Sequence, residues 1–265
     1  MNAETAGMSR FFVPEQNIDD AAGTVTVTGT DVNHLKNVLR AARGTKIELV
    51  NTAGYVFGCT VETVGKDKIV CRIDSKEKCP AEPVVPLVLI QGVPKGEKAD
   101  FLVQKCVELG VTGIIPAVTE RTVVKFSGDA DREKKRERWQ RIATEAAKQS
   151  GRGAVPEITK PADFRDLMGA LEPDWLKIIP YENEEERTLK QVLREYFPEM
   201  NKSTGDREKP KGIYVFIGPE GGFSAQEVEI CRSNGFIPVT LGKRILRTET
   251  AGLAVVACVR YETGD

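Results

Sequence analysis

Histidine is almost missing from this chain: His34 is the only one in 265 residues. A serine or cysteine nucleophile usually works with a neighbouring imidazole, and here the single candidate lies in a small N-terminal region with no such partner motif. His34 is therefore read as a surface polar residue. The six cysteines, Cys59, Cys71, Cys79, Cys106, Cys231 and Cys258, form no C-x-x-C pair. Without clustered Cys and His ligands there is no zinc site, and buried reduced thiols are expected. Charge of one sign is also lacking: 38 Lys and Arg stand against 39 Asp and Glu, a net of −1. A polyanionic partner would have to be held by a local basic patch. The longest apolar run, Ala251–Val259, is too short to span a bilayer. Residues Met1–Arg10 are polar and no apolar segment follows, so no signal peptide is expected, and a cytoplasmic location with no membrane partner follows. Two nucleotide fingerprints are missing as well, G-x-x-x-x-G-K-[ST] and a strand-linked G-x-G-x-x-G.

What is present reads as two domains, 1–80 and 81–265. The first is mostly β. TVTVT at 24–28 alternates like a half-buried strand, and KIELV at 46–50, YVFGCTVETV at 55–64 and KIVCRI at 68–73 follow at short spacing. One helix is expected over 31–44, capped by Asp31 and ended by Gly44. Val32, Leu35, Leu39 and Ala42 would share its apolar face, and Lys36, Arg40 and Arg43 a basic one. Three prolines in 79–86 mark a linker.

From residue 87 the pattern becomes α/β. Strands are expected at 87–92, 113–118, 175–180, 212–218 and 237–242. Helices are expected at 99–110, 131–150, 185–197, 224–234 and 248–262. Ser224 and Glu227 have capping-box spacing. The polar stretch 201–212 reads as a flexible surface loop.

Three glycine-containing turns follow strands: Gly92–Gly96, Gly218–Gly222 and Leu241–Arg247. Ligands of open α/β sheets bind at that edge. Glu220, in the second turn, would repel a phosphate and suit a cationic ligand such as S-adenosylmethionine. The alternative is a solvated loop acid or a cap for the next helix. On the helix at 131–150, Lys134, Arg138, Arg141, Lys148 and Arg152 recur on one stripe, and Trp139, Ile142 and Ala146 on another. The basic stripe suits a phosphate backbone, or it is a solvated face with internal ion pairs.

Several stretches carry a resemblance: SRFFV at 9–13, HLKNVLRAARG at 34–44, KGEKADFLVQKCVELGV at 95–111, RWQRIATEAAKQSGR at 138–152, IGPEGGFSAQE at 217–227 and LGKRILRTETA at 241–251. In this order they resemble the 16S ribosomal RNA uridine-N3 methyltransferases (RsmE type) of the SPOUT superfamily, over nearly the whole chain. The resemblance implies an α/β protein with a C-terminal SPOUT trefoil-knot domain and a small N-terminal PUA-like β-barrel domain that docks RNA. It also implies a homodimer, S-adenosylmethionine as cofactor and uridine 1498 of 16S rRNA, within the small ribosomal subunit, as target. Carried over by motif, Pro180, Ile217, Gly218, Gly221, Leu241, Gly242, Ile245, Leu246 and Thr250 would line the cofactor pocket. Arg247 and Glu249 would lie at the methyl-transfer site. Arg10, at the start of the barrel, joins the RNA-contacting set of Lys36, Arg40, Arg43, Lys134, Arg138, Arg141, Lys148 and Arg152. The first seven residues extend past the usual start, which makes Met8 a candidate initiator.

Uridine N3 is a poor nucleophile until it loses its proton. Arg247 is a candidate to stabilise the anionic base, and Glu249 to accept the proton. The plainer alternative is that Arg247 and Glu249 pair with each other to hold their loop. Rival functions are a SPOUT enzyme acting on a ribose 2′-hydroxyl, a non-catalytic RNA-binding protein, and a dinucleotide-dependent oxidoreductase.

Overall fold

Strands of alternating burial build the first part of the chain and continuously apolar strands the second. The computed structural model describes residues 10–51, 53–198 and 210–264. They divide into two compact units: the described residues up to Glu82 with Ala147–Val155, and Pro83–Ala146 with the described residues from Pro156 onward.

In the first unit, β1 (Arg10–Val13), β2 (Ile18–Asp19), β3 (Thr24–Thr28), β4 (Lys46–Asn51), β5 (Tyr55–Val64) and β6 (Lys68–Lys78) form one sheet, ordered β1-β4-β5-β6-β3-β2. All neighbours are antiparallel except β1 with β4. Alternate side chains turn inward, as period-two strands require. Phe11, Val25, Val27, Ile47, Leu49, Phe57, Val61 and Ile69 meet in a single cluster, the packing of a small barrel interior.

The helix expected over 31–44 is shorter. A four-residue turn, α1 (Thr30–Asn33), passes into a π-helical turn at His34–Val38, and Arg40 at φ 50° lies in the left-handed region. Asp31 is therefore inside the first turn rather than a cap, and its carboxylate meets Lys148 at 3.2 Å. Of the expected apolar face, Val32 and Leu35 are buried, but Leu39 and Ala42 are exposed because the helix ends at Val38 and the backbone turns left-handed at Arg40.

In the second unit, β7 (Leu87–Gly92), β8 (Gly113–Val118), β9 (Glu157–Ile158), β10 (Ala162–Asp163), β11 (Leu176–Pro180), β12 (Ile213–Ile217) and β13 (Phe236–Val239) are all parallel. The order is β10-β8-β7-β12-β11-β13, with β9 also on β8. Every residue of β12 is buried, as a strand covered on both faces demands. The helices are α2 (Lys98–Glu108), α3 (Asp129–Gln149), α4 (Phe164–Met168), α5 (Leu189–Tyr196), α6 (Ala225–Ser233) and α7 (Thr248–Thr263). Phe164, Leu167, Val228 and Cys231, from α4 and α6, pack with Phe216, Phe223 and Phe236. After β13, at the sheet's edge, the chain returns to lay α7 against α2, α5 and the central strands β7 and β12. Arg260 of α7 is buried and donates to the carbonyls of Val85 at 2.6 Å and Gly110 at 2.7 Å.

Burial pushes the thiols of Cys59, Cys71, Cys106 and Cys231 up to about 12, so they stay protonated. Cys258 departs from the expected burial, since it lies on an outward face of α7. Apart from residues 210–212, the loop expected at 201–212 lies outside the described residues, as does Met8.

Candidate active site

Parallel pairing sets the carboxyl ends of β7, β12, β11 and β13 along one edge of the sheet, in that spatial order. The three glycine-containing turns follow β7, β12 and β13, so they share this edge with the loop after β11. The approach is close. A side chain on Gly92 would place Cβ 2.5 Å from the ring of Pro219, so only glycine lets the first two turns meet. Gly222 closes the second turn at φ 65°, a left-handed conformation.

Side chains that the sequence reading did not single out tie these turns together. Gln91, 3% exposed at the end of β7, donates from Nε2 to Thr248 Oγ1 at 2.8 Å and to the Gly92 carbonyl at 2.9 Å. Thr248 in turn donates to the Gly218 carbonyl at 2.6 Å. The start of α7 is thereby fastened to the second turn.

Lys98, the first residue of α2, stands between two carboxylates, with Nζ 3.2 Å from Glu220 Oε1 and 3.5 Å from Glu249 Oε2. Glu249 Oε2 is buried and accepts no hydrogen bond among the described residues, where Lys98 is its ion-pair partner. Glu220 Oε1 also accepts from the Lys95 backbone N–H at 3.0 Å. Burial pushes the Glu220 carboxyl up, but backbone N–H donors and the Lys98 ammonium outweigh it and hold it below its ordinary value. Glu220 is thus engaged by the protein's own lysine rather than open to a cationic ligand.

The helix that follows the second turn carries its own acid at its start. Ser224 accepts from the Glu227 N–H, and Glu227, itself buried, reaches back to the Ser224 N–H at 3.0 Å. The other Glu227 oxygen accepts from the Glu120 N–H at 2.8 Å. This capping box occupies two of the N–H donors at the helix start and sets a carboxylate beside them, which disfavours a phosphate.

The expected pocket residues all fall on this edge. Ile217 is buried at the end of β12, and Pro180 ends β11 opposite Val239. Leu241 and Leu246 are half-buried; Gly221, Gly242 and Thr250 are exposed, and Gly218 is half-buried. Ile245 is 87% exposed, an aliphatic side chain that nothing in the described chain covers. Arg247 occupies the N-cap position of α7 with its side chain exposed, and no ion pair engages it among the described residues. The pairing of Arg247 with Glu249 is not formed, because Glu249 turns to Lys98 instead.

The basic residues separate into two groups. Lys134, Arg138 and Arg141 are exposed on α3, with Arg138 also paired to Asp100. In the first unit, Arg40 and Arg43 are exposed, and Lys36 donates to the Gly65 carbonyl at 3.1 Å. His34 is exposed and meets the ring of Phe11 edge-on. The remaining three residues are held by the fold. Arg152 is 3% exposed and bidentate on Glu82, Lys148 pairs with Asp31, and Arg10 pairs with Glu48 at 2.7 Å and donates to the Gly151 carbonyl. The single stripe expected on the helix is corrected accordingly: its last two members point into structural pairs. Among the described residues no group of three or more His, Cys, Asp and Glu is disposed to hold a metal ion, and no helix is long and apolar enough to cross a membrane.

Residues 80–260 match the family described as RNA methyltransferase domain, and residues 27–74 the one described as RNA methyltransferase PUA domain. The chain is 34% identical to Ribosomal RNA small subunit methyltransferase E of Bacillus subtilis (strain 168), over 97% of both chains. It is 32% identical to the protein of the same name from Synechocystis, over 92% of this chain and 74% of that one. Among solved structures it resembles Ribosomal RNA small subunit methyltransferase E from Neisseria gonorrhoeae bound to S-adenosyl methionine. The TM-score is 0.79 at 34% identity, over 96% of this chain and 98% of that one. With matches over both its N-terminal PUA region and its parallel-sheet unit, the chain belongs to the RNA methyltransferases of the ribosomal RNA small subunit methyltransferase E family.

Proposed function

We propose that this protein methylates N3 of a uridine in 16S rRNA of the small ribosomal subunit, with S-adenosylmethionine as donor. Uridine 1498 is the target that the family resemblance implies. The observation that carries the reading is the edge where the glycine turns, the uncovered Ile245 and the start of α7 come together. The residues fit that cofactor. Ile245, Leu246 and Leu241 offer apolar surface for a purine ring, and Pro180, Ile217, Gly218, Gly221, Gly242 and Thr250 complete the proposed pocket. The plugged N-terminus of α6 disfavours a phosphorylated nucleotide in its place.

When bound, the cofactor supplies a methyl group activated by a sulfonium. The chain's own residues handle the acceptor. Arg247, exposed and without an ion pair among the described residues, stabilises negative charge on the uracil ring as N3 loses its proton. Glu249 takes that proton directly or through water, and Lys98 keeps its carboxylate in place. N3 lies on the pairing edge, so the base reacts unpaired or flipped out. Arg40 and Arg43 in the N-terminal unit, with Lys36 beside them, and Lys134, Arg138 and Arg141 on α3 grip flanking phosphates. In this reading 1–80 docks RNA, and 81–265 carries catalysis together with the α3 phosphate contacts. The protein acts in the cytoplasm as a homodimer in this reading, as the family resemblance implies. Mass spectrometry of 16S rRNA from cells lacking the protein tests the function. One uridine should lose a methyl on its base, and an unchanged modification pattern would refute the proposal.

A further inference from the structure

The glycine turn after β12 has an acidic neighbour that neither the sequence motifs nor the mechanism above uses. Glu182 lies in the loop after β11, and a Cβ built on Gly222 would sit 3.7 Å from its Oε1. The carboxylate thus lies beside the turn that lines the proposed pocket. Both ends of its loop are pinned to the end of β13 and the residue after it. The Tyr181 N–H donates to the Val239 carbonyl at 3.0 Å, and the Thr240 N–H to the Arg187 carbonyl at 2.8 Å. Glu182 therefore sits where the loops after β11, β12 and β13 converge.

Three other carboxylates at this edge are already engaged. Glu184 accepts from the N–H groups of Glu186 and Arg187 at 3.0 and 3.1 Å and faces Arg232 at 3.8 Å. Glu220 and Glu249 share Lys98. Glu182 is exposed, and among the described residues no hydrogen bond or ion pair engages it. An ionised carboxylate only accepts hydrogen bonds, so its natural partners are hydroxyl and ammonium groups. Open α/β sheets use an acidic residue in this way to read ribose hydroxyls.

We infer that Glu182 binds the methyl donor directly, its carboxylate accepting hydrogen bonds from the ribose hydroxyls or the α-ammonium of S-adenosylmethionine. This rests on the cofactor reading above. Exposed Glu185 and Glu186 belong to the same acidic segment and serve as controls for a general charge effect.

Calorimetry with S-adenosylmethionine and with S-adenosylhomocysteine, on the full chain, tests the inference. The second compound keeps both donor groups but lacks the sulfonium charge. Glu182→Gln should weaken both ligands by roughly 10- to 100-fold, the range for a hydrogen bond to a charged group. The double variant Glu185→Gln/Glu186→Gln should bind as the wild type does. Equal affinity in Glu182→Gln, an equal loss in the control variant, or a loss confined to S-adenosylmethionine would each overturn the assignment. If Glu182→Gln melts below the wild type, Glu182→Asp provides a second variant, expected to retain affinity better than Glu182→Ala; equal affinities of the two would also count against the contact. A wild-type protein that binds neither compound would instead refute the cofactor reading itself.

Discussion

Replacing Arg152 with methionine distinguishes an RNA-gripping arginine from a structural one. The guanidinium is 3% exposed and forks onto both oxygens of Glu82, at 3.1 and 2.7 Å. Glu82 Oε1 also accepts from the N–H groups of Gly153 at 2.7 Å and Ala154 at 3.1 Å. One carboxylate thus organises the turn after α3. Removing one partner of a buried pair costs about 3–5 kcal/mol, because the other charge is left in a poor environment. Glu82 is 22% exposed and would keep its two backbone donors, so the low end applies, about 3 kcal/mol. For a chain of this size that is a fall in melting temperature of roughly 6–12 °C. Methionine fills similar space, so the loss reports the charge and its hydrogen bonds. Adding Glu82→Gln should recover part of the stability, since the stranded carboxylate is then neutral. Circular dichroism melts and urea titrations measure both effects. A loss below about 1 kcal/mol, or a fall in RNA affinity with melting unchanged, would refute the structural assignment and restore Arg152 to the RNA surface.

Four further outcomes are expected. Lys98→Met should lower kcat on the order of 10-fold or more by releasing Glu249, while calorimetric affinity for S-adenosylmethionine stays within about 2-fold and Lys98→Arg restores part of the rate. Arg247→Ala should reduce kcat by roughly 100-fold or more in single-turnover assays, again with cofactor affinity kept. Lys134→Ala, Arg138→Ala and Arg141→Ala together should flatten the salt dependence of RNA binding by up to about 3 in log–log slope, measured by filter binding. The Glu220 carboxyl is depressed in the fold, so its stabilisation is complete above the ordinary carboxylate range and fades as pH falls through its lowered value. The melting difference between wild type and Glu220→Gln should therefore shrink on acidification, and a difference that grows at low pH would contradict the clamp.

How much of this was legible in sequence depended on whether the deciding contact was local. GIIPAV at 113–118 is read correctly to the residue, because an unbroken apolar run bounded by turns has few alternatives. The Ser224–Glu227 box is equally local and forms as its spacing predicts. The helix over 31–44 misleads because good helix formers continue past the point where the backbone widens at His34 and turns left-handed at Arg40. Spacing identified the basic stripe of α3 but not its partners. Glu82 and Asp31, remote in sequence, draw Arg152 and Lys148 inward. Lys98, Gln91 and Thr248 were missed for the same reason, since each acquires its role only when turns from separate strands meet.

The most direct measurement is methyl transfer in vitro. Small ribosomal subunits lacking the modification are incubated with the protein and S-adenosylmethionine, and their 16S rRNA is then copied by reverse transcriptase. The account predicts one new stop beside a uridine, because a methyl on N3 blocks pairing, and its disappearance with Arg247→Ala. Methyl incorporation without a stop, or no incorporation at all, would contradict it.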